Sequence, residues 1–223
     1  MIITIHQPNL FPWLGFFDKM QHADIFVLLD TVPYTKGGYQ NRTQIKGANG
    51  IKWMTIPVVS NGRLGQSTHD VLMMPHQHWR KNHLLTLENY YKKSPYFDLI
   101  MPKIYGLYTN STENLTEFAM PGIEWISDTL QIGTQLIKSS DLKVSGSGSE
   151  LLLNIVRSLG GTSYLSGPSG RNYLNLKIFD AAGIKVDFHT FLPFEYPQKH
   201  LPFVGGLSVL DYLFNQGNKP WWF

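Results

Sequence analysis

Ile2-Ile3-Thr4-Ile5-His6-Gln7-Pro8-Asn9, then Leu14, Phe17 and Met20 at helical spacing, then Ile25-Phe26-Val27-Leu28-Leu29-Asp30: this stretch decides the fold. The first run is β-branched and short, and it stops at a polar loop. Pro8 and Pro12 exclude a regular strand or helix across that loop. The apolar spacing over residues 13–23 predicts a helix, with Lys19 and Gln21 on its other faces. The second apolar run has strand length and ends in a carboxylate. Strand, loop, helix and strand make a βαβ unit, for which a parallel pairing is expected.

Downstream the pattern changes and then returns. Residues 39–46 alternate in places, Ala48-Asn49-Gly50 signals a turn, and residues 51–58 are β-branched and aromatic, which predicts a hairpin whose register an Asn-Gly turn sets. Helices are expected over 76–93 and 114–130, the second interrupted at Pro121-Gly122. The last third alternates again: strands at 135–137, 163–165 and 184–188, helices at 149–159 and 174–182, and a final helix from the N-cap Ser208 to Asn215 with Gly217 as its stop. The fold class expected is α/β, a Rossmann-like open and mostly parallel sheet with flanking helices, a β-hairpin insertion and a helical segment. Residues 1–223 are read as one domain carrying a helical lobe at about 76–133.

Composition narrows the function. The chain has 223 residues, 43% of them hydrophobic and 16% charged, which describes a globular domain with a substantial core. A net charge of +3 with scattered lysines and arginines gives no nucleic-acid footprint, while a small polyanion such as a sugar nucleotide remains compatible. There is no cysteine, so thiolate catalysis and cysteine-ligated zinc are excluded. No signal-peptide pattern and no apolar run of membrane-spanning length occur, so a cytoplasmic location is expected.

Four groups of residues can carry chemistry. His6, Gln7 and Asn9 lie where the first strand of an open α/β sheet delivers its ligand-binding loop, and the helix that follows presents free N–H groups to an anion. Asp30 ends the second strand, with Tyr34 just beyond. Asn41, Arg42 and Lys46 lie on the first hairpin strand, where Arg42 suits a phosphate or carboxylate. Ser166-Gly167-Pro168-Ser169-Gly170-Arg171 follows a strand and can cradle an oxyanion, although it is not a Walker loop. The histidines His69, His76, His78 and His83 form no HExxH motif, and no metal is expected unless magnesium arrives with ATP.

The string His6-Gln7-Pro8-Asn9-Leu10-Phe11-Pro12-Trp13-Leu14-Gly15-Phe16-Phe17-Asp18-Lys19 resembles the signature of the WbqC-like family. Further matches are Asn41-Arg42, Trp53-Met54-Thr55-Ile56-Pro57-Val58, Ser166-Gly167 with Tyr173-Leu174, and Ser208-Val209-Leu210-Asp211 with Phe214-Asn215-Gln216-Gly217. The resemblance implies a role in O-antigen and other surface-polysaccharide sugars. The activity expected on that footing is N-acyl or aminoacyl transfer to a nucleotide-linked amino sugar, whose partners are that sugar and an acyl donor; a homodimer is left open. In that reading His6 is the base, assisted by Asp30, and Asn9, Asn41 or a backbone N–H meets the oxyanion. Lys19, Arg42 and Arg171 hold phosphate, with Gln7, Tyr34, Lys46, Ser166, Gly167, Ser169 and Tyr173 lining the substrate. The alternatives are an ATP-dependent nucleotidyl- or adenylyl-transferase and a non-catalytic sugar-nucleotide-binding protein.

Overall fold

In chain order the elements are β1 (Ile2–His6), α1 (Leu14–Gln21), β2 (Ile25–Leu28), β3 (Arg42–Gly47), β4 (Gly50–Thr55), α2 (Trp79–Tyr91), α3 (Phe97–Tyr108), α4 (Leu115–Thr129), β5 (Gln135–Lys138), α5 (Gly148–Ser158), β6 (Ser163–Ser166), α6 (Leu176–Ala181), β7 (Lys185–Phe188) and α7 (Val209–Gln216). The structure is a computed structural model, and it describes residues 1–75 and 78–222. The chain divides into two units. One comprises Met1–Gln7, Gly15–Thr31 and Ile132–Leu192; the other comprises Pro8–Leu14, Val32–Gln131 and the residues from Pro193 on.

In the first unit β1 is the central strand of a parallel sheet with order β5-β2-β1-β6-β7. Ile3, Thr4 and Ile5 are all buried, as are Phe26, Val27 and Leu28 of β2, because both faces of a parallel sheet are covered by helices. Helix α1 supplies Phe16, Phe17 and Met20, and α5 supplies Ile155 and Val156, all fully enclosed. Phe179 of α6 stacks on Tyr164 of β6 with centroids 5.6 Å apart. Each such side chain contributes roughly 2 kcal/mol of hydrophobic stabilisation. The chain steps from β1 outward through β2 to β5, then returns to the other side of β1 for β6 and β7. The order therefore reverses between β1 and β6. The α/β class with a parallel sheet, flanking helices and a separate hairpin is thus the observed fold.

In the second unit β3 and β4 pair antiparallel, with Gly47 opposite Gly50. The two-residue loop is Ala48-Asn49, and Gly50, at φ +96°, already belongs to the strand. The turn sits one residue earlier than an Asn-Gly turn would place it. Helix α2 buries Trp79, His83, Leu87 and Tyr91 on one face, four residues apart. The helix expected from residue 76 is observed from Trp79, and residues 76 and 77 lie outside the described set. Helix α4 runs unbroken through Pro121-Gly122, capped by the Asn114 side chain, which accepts from the Glu117 amide at 3.1 Å. Helix α3 has no counterpart in the sequence reading: Pro102 lies inside it, and its N-cap Tyr96 makes no capping bond. Among the described residues no helix is long and apolar enough to cross a membrane.

Candidate active site

His6 is the last residue of β1, beside the point where strand order reverses. In open α/β sheets that crevice, outside the carboxyl ends of the strands, is where ligands bind. The His6 Nδ1 lies 2.8 Å from the Gln7 carbonyl oxygen. A carbonyl only accepts, so Nδ1 carries the proton and Nε2 carries the lone pair. The imidazole packs edge-on against Phe16 at 5.0 Å and keeps part of its surface open. Burial, reinforced by the nearby Lys19 charge and opposed by the Gln7 hydrogen bond, lowers its pKa to about 3. The imidazole is therefore neutral at physiological pH.

Lys19 lies on α1 with 3% of its surface exposed. Its Nζ donates to the Ile5 carbonyl at 3.1 Å and stands 5.6 Å from the centre of the Phe26 ring. Burial lowers its pKa to about 7. An ammonium has three donors to satisfy, and this one sits in apolar company. Near neutral pH this lysine therefore stands between its neutral and charged forms, and a bound anion would favour the charged one.

Across the reversal point stands the end of β6. The Ser166 hydroxyl is buried and donates to the Gly167 carbonyl at 3.2 Å, and it also interacts with the Tyr173 phenol. A single turn over Pro168–Asn172 follows. A Cβ on Gly170 would come within 2.1 Å of the Ser166 oxygen, so this turn needs a glycine to close over the serine. Arg171 stacks on Phe188 with its guanidinium carbon 4.3 Å from the ring centre, and Tyr173 and Ser169 are exposed. His6 and Ser166 thus end β1 and β6, Gln7, Gly167, Ser169, Arg171 and Tyr173 lie in the connections that follow these strands, and Lys19 lies on α1.

Asp30 is different. It sits just past β2, 1% exposed, and its carboxylate is consumed locally. One oxygen accepts from the Ser139 hydroxyl at 2.8 Å and the Ser140 amide at 2.9 Å, and the other from the Ser140 hydroxyl at 2.7 Å. It ties the end of β2 to the turn after β5.

The remaining candidates belong to the second unit. Asn41 donates to the Ile56 carbonyl at 2.8 Å, and its side-chain oxygen is buried without a partner. Arg42 lies 4.2 Å over the Trp53 ring and donates to the Gly37 carbonyl, while its Nε is buried and unpaired. Its charge also acts on Tyr34, whose pKa burial raises. Lys46 is engaged elsewhere: its Nζ donates to Gln198 Oε1 at 3.0 Å and to the carbonyls of His200 and Pro202. Asn9 is buried in the loop that contains Phe11. Phe11 takes φ +40°, a left-handed conformation that costs a non-glycine residue about 1 kcal/mol or more. Its carbonyl accepts from the Thr43 hydroxyl at 3.1 Å and the Ser208 hydroxyl at 2.9 Å, which hold the strain in place. Neither the strain nor these anchors could be read from the sequence, although Ser208 lies within one of its matched strings.

A protein-family model, the WbqC-like protein family, matches residues 7–221. A Mycobacterium tuberculosis relative, Uncharacterized protein Rv1507c, is 32% identical over 217 residues, spanning 96% of this chain and 94% of the relative. No solved structure matches the chain.

Proposed function

The chain belongs to the WbqC-like protein family, and on that premise we propose that it is a transferase of surface-polysaccharide sugar biosynthesis. The finer reading is transfer of an acyl or aminoacyl group to the amine of a nucleotide-linked amino sugar. One observation carries it: a neutral histidine with a directed Nε2 lone pair, beside an under-compensated lysine, at the strand-order reversal of a parallel sheet.

Amide formation begins when a neutral amine attacks the acyl carbonyl. The new C–N bond forms, the nitrogen sheds a proton and the bond to the leaving group breaks. His6 Nε2 is the proton acceptor in this reading, oriented by Gln7. Lys19 opposes protonation of His6 in the free site, and a bound phosphate offsets that charge and raises the proton affinity of the imidazole. Arg171 and the polar turn at Gly167 and Ser169 hold the phosphates, with Ser166 and Tyr173 shaping the floor. Asp30 serves as a brace for the loop rather than as a base. Asn41, Arg42 and Tyr34 form a separate polar set in their own unit, where the unpaired Asn41 oxygen and Arg42 Nε suit a polar ligand.

The test pairs a thermal-shift screen with kinetics. Binding to the native state raises the melting temperature by mass action, so nucleotide-linked amino sugars should produce a shift. His6→Ala should lower turnover about 1000-fold while the melting transition stays cooperative. Undiminished turnover in His6→Ala removes the proposed base, and a shift with magnesium-ATP alone moves the reading to adenylyl transfer.

A further inference from the structure

Asp18, His22 and His189 each offer a ligand atom, and these atoms all lie within 4.8 Å of one another. Asp18 lies on α1 and His22, four residues on, directly follows its last residue, which brings the two side chains together. His189 follows β7 directly, and its amide donates to the Ser166 carbonyl at 2.8 Å, which fixes its backbone on the sheet. All three residues belong to the first unit. We infer that this cluster is a binding site for one zinc-type divalent cation, held by two imidazoles and a carboxylate.

The surrounding hydrogen bonds select the ligand atoms. His22 Nδ1 lies 2.7 Å from the Asp18 backbone carbonyl, so that nitrogen carries the proton and Nε2 keeps its lone pair. The Gln21 amide donates to Asp18 Oδ1 at 3.1 Å, leaving Oδ2 to face His189 Nε2 at 2.7 Å. Metal-bound histidines and carboxylates are oriented by outer partners of this kind. Two imidazoles favour zinc and its neighbours over magnesium or calcium, which prefer all-oxygen shells. Ligand atoms on a tetrahedral zinc sit roughly 3.4 Å apart, as follows from bonds of about 2.1 Å. The Asp18–His189 pair must open slightly and His22, which is exposed, must swing inward. Three protein ligands leave a fourth position open, the pattern of reactive rather than purely structural zinc. Without a metal, His189 Nε2 and Asp18 Oδ2 are hydrogen-bonded, with side chains 9% and 14% exposed.

The experiment uses untagged full-length protein, stripped with a chelator and then titrated with zinc against a competing chromophoric chelator, with cobalt absorbance as a second readout. One ion per chain, a rise in melting temperature and the visible bands of four-coordinate cobalt are expected. His22→Ala and His189→Ala should each weaken binding by more than about 100-fold, beyond the range typical of losing an outer partner. Melting curves of the stripped variants report their folding. If His189→Ala fails to fold, the exposed His22 decides the matter alone. No saturable uptake, or uptake unchanged in His22→Ala, overturns the inference. Neither readout involves turnover, so this test and that of the transferase reading fail independently.

Discussion

Two lysines are buried in this protein, and their surroundings differ. Lys46, 5% exposed, is encircled: three acceptors meet its Nζ, one of them Gln198, whose amide nitrogen in turn donates to Asp211 Oδ2 at 2.9 Å. Tyr91 donates to the other Asp211 oxygen at 2.8 Å, and Tyr196 to Oδ2 at 2.8 Å. Lys19, 3% exposed, has the single Ile5 carbonyl and an aromatic ring. Burial costs an ion heavily unless partners replace its water. Such partners surround Lys46, where β3 meets the 198–202 loop. Lys46 is held in a satisfied network, whereas Lys19 has one oxygen partner beside the strand-order reversal.

Loss of the amine should be felt most at Lys46. Lys46→Met should cost about 3–5 kcal/mol, because it leaves two carbonyls, the Gln198 oxygen and the buried Asp211 charge without their cation. Burial already raises the Asp211 pKa, against the pull of its hydrogen bonds and of Lys46, so removing that cation adds to the strain. Urea denaturation measures this directly. A loss below about 1 kcal/mol would mean that the network is no more than surface decoration.

Lys19→Met should do the reverse. Replacing an under-solvated ammonium by an apolar chain of similar length is expected to stabilise the protein by about 2 kcal/mol, while turnover and phosphate affinity fall. The measurement is made in chelator, so that a metal at the neighbouring Asp18 does not intrude. Gain of stability with loss of activity is the usual signature of a residue kept for function. Destabilisation would show that Lys19 is satisfied after all.

How much of this could be read in the sequence follows from the reach of each interaction. The β1–α1–β2 unit was legible because its apolar periods are local and uninterrupted. Helix α3 was hidden by Pro102 and an unremarkable N-terminus; what fixes it is tertiary, the burial of Ile100, Met101, Ile104 and Tyr108. Helix α4 survives Pro121-Gly122 partly because Gly122 is a packing position: a Cβ there would meet the Phe11 ring at 3.2 Å. His6 and Ser166 could be proposed as site residues because strand ends are visible in sequence. The partners that bind up Asp30 lie 109 residues away, and the His189 that meets Asp18 lies 171 away. No local pattern announces such pairs. Local spacing singles out His69, His76, His78 and His83 as the histidines to consider for a metal, whereas the cluster the fold assembles uses His22 and His189; His76 lies outside the described residues.

The smallest effect expected separates the two units by pH. His83 of α2 is buried against Tyr108 at 3.0 Å and the Thr55 carbonyl at 3.1 Å. Burial, with some help from Lys52, lowers its pKa to about 4 despite the Thr55 bond. His6 stands at about 3. As pH falls through 6.5 the unfolded chain takes a proton at each histidine and the folded chain does not, so stability declines. Between pH 7 and 5.5, above the carboxylate range, each histidine should remove about 1 kcal/mol. Lys19, its pKa lowered to about 7, is already protonated in the unfolded chain and takes up its proton in the folded chain over the same window, so its own share of the slope is small and fades as the pH falls. Relative to the parent protein, His6→Gln and His83→Gln should each remove about 1 kcal/mol of acid-side loss. His6→Gln should also abolish turnover, whereas His83→Gln should spare it, because one histidine is buried for packing and the other is held neutral for use. If both variants lose activity equally, the division between a satisfied scaffold and an expectant site fails, and His83 belongs to the chemistry as well.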